Sequence, residues 1–472
     1  MGFYDPRLMS SDLANKGTPQ PAIRRRIKLR FLILAAAILH ISVTASIFAV
    51  GKLGLMPGQF KESGLGGFAA DGFIYQVEII ELCDVLKNQG VKAWAVWPTQ
   101  LHVRLYSLPM AIFYPRTSFN ILAIEPLNLI YYLAILVIVF KLGELIFGYR
   151  AALLATAIVA LWPSFLMHTT QLLRDPLLIC AMLLLVLSLT KCLKLNYDWF
   201  RGVLLGILGA AAIVLIRIVR LPMWDLLVAT VALASLFLLV RFVRQKRWPI
   251  GNICFALIVI AAIVITPRFQ NSFMNQESVK INRVIKPEEV QKLPITDQIV
   301  KRREAFKVQV EASGEVVPSQ AGSDIDIGVH FNSLADIVRQ TPRAAMVGFF
   351  APFPGMWLNP GKQVARVGRV ISGVEMLLTY LIECLTLVGL WRARKELAAW
   401  LMFLVAAMGI MGLGLVVTNI GALYRLRYPF WILLVIFGAA GLVQVLGRTS
   451  VAASSTFNLA AEPFQPGTSP VD

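Results

Sequence analysis

Long uninterrupted apolar runs constrain this chain more than any other feature. A helix needs about 20 consecutive apolar residues to cross the hydrocarbon of a bilayer. Runs of that kind occupy 31–51, 124–147, 151–168, 176–193, 202–219, 222–240, 250–267, 370–391, 398–417 and 429–447. They bring the 472 residues to 57% hydrophobic with a mean hydropathy of +0.69. Water cannot solvate so apolar an exterior, so lipid must solvate much of it, and a soluble fold is excluded. The expected architecture is all-α: a polytopic membrane bundle of about ten transmembrane helices with amphipathic helices and loops on its outer face.

The net charge of +18 would suit a nucleic-acid binder only if the basic residues gathered on one domain. They fall instead in short clusters between apolar runs, which argues against nucleic acid and for membrane topology. Arg24-Arg25-Arg26-Ile27-Lys28-Leu29-Arg30 precedes the first run, and basic flanks stay in the cytoplasm. With simple alternation, the cytoplasmic connections become 141–150, 191–201, 241–247, 392–395 and the tail from Arg448, and each of them is basic. Both termini are therefore expected in the cytoplasm, with the chain in a bacterial inner membrane. About 30 polar residues precede the first run and no small-residue cleavage site follows it, so that span is expected to be retained. The five cysteines are scattered without a CxxC pair and suit packing.

This threading divides the chain into a basic tail (1–30), a transmembrane core (31–267) with a first outer loop (52–123), a second outer loop (268–369), C-terminal spans (370–447) and a disordered tail (448–472). The apolar stretch 101–114 is short and interrupted by His102, Arg104 and Pro109, so it is expected to be re-entrant or interfacial. Phe73, Ile74, Val77, Ile80, Val85 and Leu86 recur at near-helical spacing between Asp71 and Gly90, which predicts an amphipathic surface helix. Ser333 opens another, which runs past Pro342 into an aromatic, proline-broken segment at 349–357. The second outer loop also holds a polar segment with Lys280, Arg283, Lys286 and Glu288. The two halves of the chain show no convincing repeat of the kind many secondary transporters carry.

Charged residues at span ends converge on the outer side. Arg174-Asp175 lies between the third and fourth spans, Arg217 and Arg220 end the fifth, Asp225 enters the sixth, and Tyr424-Arg425-Leu426-Arg427 precedes the last. Each charge costs roughly 2.5 to 3.5 kcal/mol at mid-membrane depth, so it needs a route to the interface or a function. Arg217 and Arg220, three apart, share a helix face and with Arg425 and Arg427 suit a phosphate or pyrophosphate head group. A single arginine of this kind often only snorkels to lipid phosphate. Asp71 is equally suited to cap its helix, and Asp175 to pair with Arg174. Asp324-Ile325-Asp326 has DxD spacing, yet alternating Asp residues are commonplace in polar loops. His40, His102, His168 and His330 lack metal-ligand spacing and suit packing or interface roles. No ligand set for a divalent metal emerges, and the cofactor is left open.

The order of several short motifs resembles the GT-C class of glycosyltransferases, of the protein O-mannosyltransferase and lipid A aminoarabinose transferase type. Ala70-Asp71-Gly72-Phe73-Ile74-Tyr75 follows the first span, then Trp97-Pro98. Later come Phe147-Gly148-Tyr149-Arg150, Trp162-Pro163-Ser164, Leu173-Arg174-Asp175-Pro176, Arg220-Leu221-Pro222 and Tyr424-Arg425-Leu426-Arg427-Tyr428-Pro429. The likeness covers most of 31–447. It implies a polyprenyl-phosphate- or pyrophosphate-linked sugar donor, a glycan, lipid or protein acceptor on the outer side, and inversion at the anomeric carbon. Asp71 then matches the general base, and Arg174, Arg217, Arg220, Arg425 and Arg427 hold the donor phosphate, supported by Asp175, Tyr75 and Tyr424. Gly72 stands where a second acid would follow Asp71, and no large soluble C-terminal domain follows the spans. A lipid-linked-sugar flippase, a non-catalytic subunit holding protein partners and an oligosaccharide-repeat polymerase remain alternatives.

Overall fold

In the computed structural model the described residues are 22–268, 287–310, 316–318, 324–358 and 366–459. Lys280, Arg283, Lys286 and the outermost parts of both tails lie outside them, as do the side chains of Arg24, Arg25, Arg26 and Glu288. Among the described residues nine helices are long and apolar enough to cross a membrane, and a bent pair makes up to ten. The chain is an integral membrane protein with an all-helical bundle, apart from a three-residue antiparallel ribbon, Val308–Val310 with Val316–Pro318.

In chain order, α1 (Ala22–Lys52) is followed by three helices of the first long connection, α2 (Asp71–Asn88), α3 (Gly90–Val96) and α4 (Leu101–Phe113). At 13 residues, α4 is too short to span, and it packs against α2. Next come α5 (Ile121–Phe147), α6 (Tyr149–Ala160), α7 (Pro163–Thr169), α8 (Asp175–Lys194), α9 (Trp199–Val219), α10 (Trp224–Gln245) and α11 (Ile250–Ile265). The second long connection carries α12 (Pro287–Gln291), α13 (Ile295–Ala305) and α14 (Leu334–Phe350). The chain then forms α15 (Arg366–Arg392), α16 (Leu397–Val416), α17 (Ile420–Leu426) and α18 (Tyr428–Leu459).

Two sequence-encoded breaks shape the end of the bundle that bears the long connections. Pro163 has no N–H to continue α6, and α7 departs at 65°. Arg220 leaves the helical region at φ −154°, ψ 81°, and Leu221-Pro222-Met223 makes a 3₁₀ turn before α10. The α8 helix is the span most enclosed by protein, so its first residue, Asp175, stands at the centre of that end.

The second long connection is fastened across the same end. Ser333 and Asp336 form a reciprocal capping box, with the Ser333 amide donating to the Asp336 carboxylate at 3.0 Å, and α14 then runs through Pro342 to Phe350. The Ile325 amide donates to the Thr418 carbonyl at 2.8 Å. Arg343 forks onto Asp326 at 3.1 and 3.2 Å, and Arg302 reaches Asp225 at 2.7 Å. Both ends of the DxD motif are thereby tied into the loop's attachment, since Asp324 bridges to Asn419.

Helix α14 rests on α16 through small residues. A Cβ on Gly414 would stand 2.0 Å from the Ala344 carbonyl oxygen, and one on Gly348 would stand 2.3 Å from that of Ile410. Gly414→Val should therefore force the helices apart and cost about 1–3 kcal/mol. Gly412→Val, whose Cβ meets nothing within 4 Å, serves as the control. Thermal midpoints in detergent check this, and equal midpoints for the two variants would contradict it.

Candidate functional site

Four segments far apart in sequence meet at the end that bears the loops. Gly72 lets the first turn of α2 close onto the chain before α8, because a Cβ there would lie 3.2 Å from the Leu172 carbonyl. Asp71 is in that first turn and is not the N-cap, which is Ala70, so its carboxylate points out of the helix. Arg174 and Asp175 open α8. Arg220 enters from the α9–α10 break. Arg425 comes from α17, whose start is fixed by Asn419 accepting from the Ala422 amide at 3.0 Å.

Their side chains form one chain of charges. Arg425 Nη2 donates to Asp71 Oδ2 at 2.7 Å, and its Nε faces Asp175 Oδ2 at 2.8 Å. Arg220 Nη1 donates to the other Asp175 oxygen at 3.2 Å. Asp175 is thus paired with Arg220 and Arg425. Its side chain is 5% exposed, whereas that of Asp71 is 40% exposed. The cluster has a buried pivot and an accessible end.

Arg174 completes the cluster from the side. Its charge acts on Asp71, Tyr75 and Asp175, and its buried Nε has no hydrogen-bond partner among the described residues. Three guanidinium charges therefore face two carboxylates, leaving a net positive charge within the cluster. Burial alone would raise the Asp71 pKa, but Arg425, then Arg174 and Arg220, outweigh it and hold the carboxyl at about 2. Tyr75, one turn along α2, is buried with its ring edge-on to His102 at 4.5 Å.

The other two arginines face elsewhere. Because α9 ends at Val219, Arg217 and Arg220 diverge: Arg217 stacks over the Trp224 ring at 4.4 Å. Arg427 turns under α14, donating to the Ala351 carbonyl at 2.8 Å and covering the Tyr424 ring at 4.5 Å. It closes the frame around the cluster.

That frame includes Glu375, and the bundle interior Glu125, which the sequence pattern did not single out. Tyr424 donates to Glu375, which also accepts from the Ser164 amide at 2.7 Å, and Tyr428 donates to Ser164 Oγ at 2.8 Å. His40 and Glu125 meet at 2.7 Å inside the bundle, with Thr44 donating to the same carboxylate at 2.8 Å. Glu125 and Glu375 are acids within apolar spans, the signal that could have found them. Among the described residues no three His, Cys, Asp or Glu side chains converge as a metal site. An apolar groove of about 420 Å³ lies between α9 and α11, lined by Ala210, Val214, Ile258, Ala262 and Ile265.

No known protein-family model matches the chain, and no curated protein matches it. Among solved structures it is similar to the archaeal oligosaccharyltransferase AglB from Archaeoglobus fulgidus in complex with an inhibitory peptide and a dolichol-phosphate. The identity is 12% and the TM-score 0.46, over 93% of this chain and 53% of that one, so the chain spans about half the length of that neighbour. Likeness at this level leaves the functional argument to the site itself.

Asp175→Asn removes the charge that offsets both Arg220 and Arg425 in a buried setting. It is expected to cost about 3–5 kcal/mol. Asp71→Asn, at the accessible end, should cost far less, and comparable drops in thermal midpoint would contradict the buried-pivot arrangement. The Asp71 pKa falls from an ordinary 3.8 to about 2 on folding. Its stabilising contribution is therefore complete above about pH 4 and is lost as the pH falls through about 2. Acid titration should show Asp71→Asn abolishing that component of the acid limb, and an unchanged limb would contradict it.

Proposed function

We propose that this chain is a membrane glycosyltransferase that moves a sugar from a polyprenyl-phosphate-linked donor to an acceptor at the outer face of the membrane. The observation that carries this reading is an accessible carboxylate held beside an excess of arginine where the spans meet the long connections. A lipid phosphate in need of a cationic seat and a hydroxyl in need of a base would both be served there. The alternating basic connections support assigning this end to the outside, with both termini in the cytoplasm.

In this mechanism the donor phosphate rests on Arg174 and Arg220, with Arg425 beside it. The apolar groove between α9 and α11 suits the polyprenyl tail, since α9 carries Val214 in its lining and ends directly before Arg220. The acceptor oxygen attacks the anomeric carbon from the face opposite the phosphate. The carbon–oxygen bond to phosphate breaks, its electron pair leaves with the phosphate, and the acceptor proton passes to Asp71. Arginines in a water-poor site stabilise the leaving charge more than they would in water. Arg217 and Arg427, engaged with Trp224 and the α14 terminus, hold the walls.

Single-turnover transfer by protein reconstituted in liposomes, with a panel of radiolabelled polyprenyl-phosphate sugars, checks the assignment. Asp71→Asn should lower transfer about a hundredfold or more without loss of folding. Arg174→Gln should weaken donor binding roughly tenfold. Transfer at the wild-type rate by a folded Asp71→Asn protein would contradict the assignment. Translocation of intact donor without cleavage would point to a flippase instead.

A further inference from the structure

Asp71 presents a difficulty that the geometry itself resolves. A carboxylate clasped by Arg425 at 2.7 Å, with Arg174 and Arg220 adding their fields, is a poor proton acceptor at neutral pH. Tyr75 and Asp175 are the other titratable groups that act within this cluster. The base would work only after its clasp opens.

The two arms of Arg425 differ. The Nε edge lies 2.8 Å from Asp175 Oδ2 as an ion pair without hydrogen-bond alignment, and that carboxylate's side chain is 5% exposed and pinned from its other side by Arg220. The Nη2 arm meets Asp71, whose side chain is 40% exposed. One arm is anchored in protein and the other lies at the accessible rim, within the field of the Arg174 charge. An anion drawn by the excess positive charge would therefore arrive at the Nη2 arm and compete with Asp71 for it. The guanidinium is a rigid planar fork, so a phosphate that seats on the Nη2 arm displaces the Asp71 carboxylate while the Nε edge keeps its place.

Resting on the transferase reading, we propose that Arg425 changes partner when the donor binds. Its Nη2 arm passes from Asp71 to the donor phosphate while Nε stays on Asp175, so that Asp71 is released as a base only when a donor is seated. An empty site keeps its base neutralised, and the same arginine couples phosphate capture to proton acceptance.

The test is a double-mutant cycle on binding, with full-length protein in nanodiscs. The probe is farnesyl methyl phosphate, a phosphodiester that carries one charge across the working pH range. Asp71→Asn removes the competitor, so it should tighten probe binding about tenfold, although it removes the base. In an Arg425→Gln background the same substitution should change affinity by less than about twofold. Arg425→Lys, which keeps the charge but lacks two edges, should shrink the gain similarly and guards against misfolding of the Gln variant. An equal gain in all backgrounds would mean a mere field effect of the lost carboxylate and would overturn the partner change. So would no gain at all. Wild-type protein that fails to bind the probe would overturn the donor site too, whereas binding without coupling overturns only the exchange.

Discussion

The arrangement depends on the ion chain Asp71–Arg425–Asp175–Arg220. Charges at the end of an apolar bundle cannot be left uncompensated, because desolvation costs several kcal/mol for each. These four residues compensate one another from four segments that are remote in sequence. Their pairing fixes the first turn of α2, the start of α8, the α9–α10 break and α17 relative to one another. The gain is chiefly geometric, since a buried pair held by good partners specifies position more than it adds stability.

The two long connections lean on this end for the same reason. Arg343 of α14 holds the Asp326 carboxylate, while Arg303 of α13 donates to the Asp326 carbonyl and, at 2.8 Å, to the Leu415 carbonyl of α16. Arg302 fastens α13 to the start of α10. Arg427 fastens the end of α14 by its carbonyls. Arginine serves repeatedly because it holds its charge under partial burial and offers several donors at fixed angles. Around the cluster some arginines build the wall, while Arg174 acts on Asp71, Tyr75 and Asp175 through its charge.

The bundle was legible in the sequence because apolar length is a one-dimensional property. The runs at 202–219 and 398–417 fall within three residues of α9 and α16 at their starts and within one at their ends. The surface helices were legible too, from periodicity after Asp71 and the Ser333 cap. The site was legible only in part. Asp71, Asp175, Arg220 and Arg425 were singled out, but their pairing depends on contacts across as many as 354 positions. Three-residue spacing put Arg217 and Arg220 on one helix face, yet the helix stops between them, and Leu221-Pro222 supplied the clue. Arg427 sits two residues from Arg425 in α17's final turn and points to the opposite side. Glu375 was hidden because its partners, Ser164 and Tyr424, lie on other helices.

In the proposed function a lipid-linked phosphate occupies the accessible rim of this cluster. A density map of the protein reconstituted in nanodiscs with a polyprenyl-phosphate sugar tests that claim most directly. Head-group density is expected within hydrogen-bonding distance of Arg174 and the Nη2 arm of Arg425, with a tail entering the groove between α9 and α11. A saturating donor whose head group lies elsewhere, with the Arg425–Asp71 pair still closed, would contradict it.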